Sequence, residues 1–93
     1  MYSRYKHHLE RSTNLLYGDM IEELYGNGSK IKVSALDYST ATKRPFAHIT
    51  LYMGVINEET VSSTDLIELF VNDAWEYIEP NKKLDVVVSV DVL

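Results

Sequence analysis

Apolar residues return every three or four positions over residues 3–25. Tyr5, Leu9, Leu16, Met20 and Leu24 follow the helical period, and Leu15, Tyr17 and Ile21 widen the stripe. His7, Arg11, Asn14, Gly18 and Glu22 fall on the opposite side. The spacing predicts a first helix. Gly26-Asn27-Gly28-Ser29 ends it, because glycine accepts the left-handed backbone of a helix C-terminus. The period then changes to two. Residues 30–38 place Ile31, Val33 and Ala35 on one face, and residues 46–55 do the same with Ala47, Ile49, Leu51, Met53 and Val55. Residues 39–45 are rich in turn formers and suggest a hairpin with a seven-residue loop.

A second helix is expected from Ser62 and Asp65, which have the spacing of a capping box, with Val61 and Leu66 as a hydrophobic staple. Its apolar face would hold Leu66, Ile67, Phe70, Val71, Ala74, Tyr77 and Ile78, and Pro80 would stop it. Residues 84–93 alternate once more, with Leu84, Val86, Val88, Val90 and Val92 inward. The order is helix, strand, strand, helix, strand. One-sided strands imply both helices on one sheet face, an α+β two-layer sandwich with a three-stranded mixed sheet. The last strand, returning through a helix, should run parallel to the second and sit beside the first, giving spatial order 2-1-3.

Composition narrows this picture. Ninety-three residues form a single domain, expected to span 1–93. There is no cysteine, so disulfides and thiolate chemistry are excluded. No apolar run approaches the roughly 18 residues of a membrane span, and the N-terminus carries no signal peptide, so a cytoplasmic location is expected, the host cytoplasm if the gene is viral. The net charge of −5 is uneven: residues 1–54 sum to +2 and residues 55–93 to −7.

The acidic half contains the main candidate site. Asp65, Glu68, Asn72, Glu76 and Glu79 form one row on the second helix; Glu58 and Glu59 extend it and Asp73 flanks it. Four carboxylates over about 21 Å approach the density of phosphates on one DNA strand, about one per 3.4 Å. No lysine or arginine lies between Asp65 and Glu79. The row is a binding surface for a basic partner or a solvated helix face, and the sequence leaves both open. The outer sheet face is the second candidate. Alternation places Leu36, Tyr38, Phe46, His48 and Tyr52 there, a possible homodimer interface, with Lys30 and Lys32 beside them and Lys43-Arg44 in the adjacent loop. Base stacking on these rings is the weaker alternative, so direct nucleic-acid binding is not expected. The histidines show no metal spacing, no phosphate loop is present and no nucleophile meets a base, so no cofactor, metal or catalysis is expected.

The carboxylates Glu58, Glu59, Asp65, Glu68, Asp73, Glu76 and Glu79, with the length and the lack of cysteine, give a chain that resembles the small Arn-like anti-restriction DNA mimics of T-even phages. The resemblance covers the whole chain and no single motif. It implies a homodimer whose carboxylates stand in for phosphates on a restriction nuclease or a histone-like protein. The chain departs from such mimics in its milder charge and its slightly basic first half. The alternative is a phage tail or neck subunit, or a small adaptor or antitoxin, that uses the same acidic face for assembly.

Overall fold

The computed structural model describes residues 2–54 and 64–92. A 3-10 turn at Tyr2–Tyr5 leads into helix α1, Lys6–Tyr25. Strands β1, Lys30–Ser39, and β2, Arg44–Met53, follow, then helix α2, Asp65–Ile78, and strand β3, Asp85–Val92. The fold is the expected α+β sandwich of two helices on one face of a mixed sheet. β1 pairs antiparallel with β2, and β2 pairs parallel with β3.

The strand order is β1-β2-β3, not 2-1-3. The reason lies in burial. Pro45, Ala47, Ile49, Leu51 and Met53 are all buried on the inner face of β2. The strand with the most continuous apolar face takes the centre, where both neighbours shield it. The valines of β3 fit an edge: Val86, Val88 and Val90 are only half-buried.

Two further corrections concern rotation. In α1 the buried residues are Leu9, Thr13, Ile21 and Tyr25, while Leu15, Leu16, Met20 and Leu24 are exposed. The helix therefore rests on its i+4 row. Thr13 is tolerated in the core because its hydroxyl donates to the Leu9 carbonyl at 2.8 Å. This rotation serves the edge of β1. Asn14, expected to face away, accepts from the Ile31 amide at 3.2 Å and donates to the Ile31 carbonyl at 3.0 Å. Glu10 Oε1 accepts from the Val33 amide at 2.8 Å. Side chains thus close part of an edge that would otherwise offer unpaired backbone groups. Replacing Asn14 with alanine should cost about 1–3 kcal/mol, the usual scale for unsatisfied backbone groups. Amide exchange should quicken at Ile31 but not at Val33, which Glu10 still holds. Unchanged exchange at Ile31 would show that Asn14 does not guard the edge.

In α2 the buried set is Ile67, Phe70, Val71, Ala74 and Trp75, while Leu66 and Tyr77 are exposed. The helix is turned toward Trp75, which packs with Tyr2 and Tyr5 at ring-centroid distances of 5.9 and 6.3 Å. The residue before the helix is Thr64, whose side chain makes no capping bond. The proposed cap and staple residues Ser62 and Val61 lie outside the described residues.

Candidate functional site

The acidic row is real as an arrangement on α2, but it is shorter than the spacing suggests. Asp65, Glu68 and Glu76 are exposed. Asn72 is drawn inward: its side-chain oxygen accepts from the Leu84 amide at 3.2 Å and its nitrogen donates to the Glu68 carbonyl at 3.2 Å. That pair of bonds locates the row. It runs along the flank of α2 that overhangs the start of β3. Glu79 is half-buried at the helix end, where its amide donates to the Trp75 carbonyl at 2.9 Å. Glu58 and Glu59 lie outside the described residues.

Asp73 belongs to the other flank. Its carboxylate accepts the Tyr17 hydroxyl, and the Tyr17 ring stacks on Phe70 with centroids 4.4 Å apart. This contact joins α1 to α2. The Tyr17 pKa is raised above 10.0, first by the hydrogen bond to Asp73, then by burial and by the Asp73 and Tyr77 charges. A phenol whose pKa rises on folding contributes its stabilisation below the ordinary tyrosine value. It loses that contribution as pH climbs through the raised one. At neutral pH the bond is intact, and Asp73 is committed to holding the helices together.

The local physics separates the remaining carboxylates. Asp65 and Glu68 sit in the first turn of α2, where the helix dipole favours negative charge. Glu76 lies two residues before the helix ends, and the last turn contains no basic residue. There the dipole disfavours a carboxylate by a few tenths of a kcal/mol. Glu76 is therefore not explained by helix stability. Among the described residues the ion pair within 4.0 Å joins Arg44 and Asp85 at 3.6 Å, and no such pair involves the α2 row. Lys82 and Lys83 share a concavity of about 430 Å³ with Glu76 and Asp73.

The second candidate face is changed by a register shift between Val33 and Ala35 in β1. The irregularity reverses the alternation beyond it. Leu36 pairs with Ala47 and is 2% exposed, so it belongs to the core and not to an interface. Tyr38 pairs with Pro45 on the helix side and stacks on Tyr2 with centroids 5.9 Å apart. Phe46, His48 and Tyr52 remain on the outer face, with Val87 52% exposed beside His48. Lys30 and Lys32 are exposed there too, lining a groove of about 540 Å³ with Tyr52, Glu10 and Asn14. The polar groups of Glu10 and Asn14 in that groove are already bonded to β1.

Alternation and helical spacing miss two features. One is the set of exposed apolar residues on the two helices: Leu15, Leu16, Met20 and Leu24 on α1, and Leu66, Leu69 and Tyr77 on α2. The other is a gathering of cations from two separate parts of the chain, Lys43 and Arg44 with Lys82 and Lys83. Both doublets are visible in the sequence; only the fold brings them together.

No helix among the described residues is long and apolar enough to cross a membrane. Comparison with family models, curated proteins and solved structures finds no match to this chain.

Proposed function

We propose that this chain is a small non-enzymatic binding protein that lays the acidic flank of α2 on a basic, DNA-binding surface of another protein. The observation that supports this reading is the exposed series Asp65, Glu68 and Glu76. None of them forms an ion pair among the described residues, and Glu76 sits where the helix itself disfavours it. The three span about 16 Å at 1.5 Å per residue, a length suited to several basic side chains. Glu79 adds charge at the end of the row, and Asp73, bound to Tyr17, does not belong to it. Inhibition of a restriction nuclease or a histone-like protein by imitation of phosphates is the specific form of this proposal.

The test is capture from bacterial lysate at low salt with the immobilised protein, followed by elution with duplex DNA. A basic protein released by DNA supports the proposal. A captured protein that DNA does not displace contradicts the mimic form of it.

A second reading is supported by the helix layer. Seven large apolar residues on α1 and α2 are exposed, and exposed apolar side chains in such number mark interaction surfaces. They favour an assembling subunit, or the homodimer expected above, built through the helices. The outer sheet face now offers such an interface only Phe46, His48, Tyr52 and Val87. Sedimentation tests this reading: association beyond a dimer at micromolar concentration, in the absence of any partner, supports an assembling subunit, and a monomer contradicts it.

A further inference from the structure

The chain carries nine lysines and arginines against fourteen acidic residues, yet four of the nine line one concavity of about 340 Å³. Lys43 lies in the turn between β1 and β2 and Arg44 opens β2, while Lys82 and Lys83 come from the segment between α2 and β3. Tyr38, Pro45 and Asn81 complete the lining, which contains no carboxylate. The volume falls at the small end of ligand sites, roughly 300–1,000 Å³.

Helix chemistry accounts for half of this. Lys82 and Lys83 follow the C-terminus of α2, where cations are favoured. It does not account for Lys43 and Arg44, which come from a different element. Like charges gathered at one place repel, and here they gather in a chain otherwise rich in carboxylates. The backbone is also specialised at this point. The non-glycine residues with positive φ among the described residues are Lys43, at 57°, and Asn81, at 76°, and both line the concavity. Asparagine adopts that conformation readily; lysine does so rarely. One cation is partly neutralised, since Arg44 lies 3.6 Å from Asp85. Another is fixed in place: Lys82 Nζ donates to the Tyr2 hydroxyl at 2.9 Å and stands 5.5 Å from the Tyr2 ring centroid. That leaves a pre-positioned cation, Lys82, beside Lys43 and Lys83. Tyr38, 43% exposed and backed by Tyr2, stands at the same concavity as a planar surface.

We infer that this concavity is an anion site for a diphosphate or triphosphate group, the phosphate chain lying among Lys43, Arg44, Lys82 and Lys83. The charge density matches: a chain of two or three phosphates carries several negative charges within the reach of four cations, which a single carboxylate does not. Such a chain is supplied by inorganic pyrophosphate or by a nucleotide, whose base has a stacking surface in Tyr38. Lys82 and Lys83 also line the concavity that holds Glu76 and Asp73, so this site borders the acidic flank of α2; it is carried by Lys43 and Arg44 from the other element and does not rest on the function proposed for those carboxylates.

The test is calorimetric titration of the full chain with pyrophosphate and, separately, with a nucleoside diphosphate, at fixed ionic strength. Saturable binding of one equivalent is expected. Lys43→Gln with Lys83→Gln should weaken it at least tenfold, and Lys30→Gln with Lys32→Gln, on the outer sheet face, should leave it within twofold. If the nucleotide binds more tightly and Tyr38→Leu removes only that increment, the ligand is a nucleotide; equal binding of both points to the phosphate chain alone. Absence of saturation at millimolar pyrophosphate overturns the inference. So does equal loss in the two double variants, or saturable binding of duplex DNA where pyrophosphate gives none.

Discussion

Replacing Trp75 with alanine should destabilise the fold by about 3–5 kcal/mol, the range for deleting a large aromatic side chain from a core. A domain of this length has a total stability on the order of 5–14 kcal/mol, so the variant should lose from about a fifth to nearly all of it. Trp75 is 1% exposed and sits where three parts of the chain meet: the 3-10 turn, α2 and the core under the sheet. Its indole nitrogen has no hydrogen-bond partner among the described residues. The favourable contribution of the side chain is its packing, and phenylalanine, which also removes a buried unpaired N–H, should recover most of it. Urea unfolding of the two variants checks this. If Trp75→Phe were as unstable as Trp75→Ala, the indole nitrogen would hold a bond that matters, and packing would not be the explanation.

The second large effect concerns the acidic flank. Reversing Asp65, Glu68 and Glu76 to lysine together should reduce binding to a basic partner by at least about 100-fold. This follows because each close charge pair across an interface contributes of the order of 1.5 kcal/mol or more, and reversal replaces attraction with repulsion. The fold should survive, since all three side chains are exposed. Some stability will be lost at Asp65 and Glu68, because lysines in the first turn oppose the helix dipole. Glu76→Lys alone should be neutral or slightly stabilising, as it places a cation at the favourable end. That difference makes the single variant informative: it should weaken binding while leaving the unfolding midpoint unchanged or raised.

Periodicity revealed the element order, the inner faces of β2 and β3, and the sheet's one-sidedness, because a period of two or 3.6 reports directly on which side is dry. Rotation about the helix axes was not legible. In α1 two apolar rows compete, Leu16-Met20-Leu24 and Leu9-Ile21-Tyr25, and the choice between them is made by polar residues. Asn14 and Glu10 must reach β1, and that brings Thr13 into the core. A scale of hydrophobicity cannot weigh this. Leu36 and Tyr38 were misplaced for a different reason. One irregularity in β1 exchanges the two faces, and nothing in residues 33–35 announces it. The acidic row was legible as a helical stripe. Its trimming was not, since the Asn72 bond to Leu84 and the Tyr17 bond to Asp73 are contacts across 12 and 56 residues of sequence. The cationic concavity was invisible for the same reason, its two doublets being separated by thirty-seven positions between Arg44 and Lys82 and joined only by the pairing of β2 with β3.

The central claim is that the carboxylates of α2 are a binding surface. The most direct measurement is affinity for the captured partner as salt is raised from about 50 mM to about 500 mM, over which the Debye length falls about threefold. It is made with the wild-type chain and with Asp65→Asn, Glu68→Gln and Glu76→Gln combined. These replacements keep the shape of the flank and remove its charge. The account predicts that wild-type affinity falls steeply, while the neutral variant starts weaker and changes little, so that the two converge at high salt. Two parallel curves, with the variant as tight as wild type at every salt concentration, would contradict it and leave the row a solvated helix face.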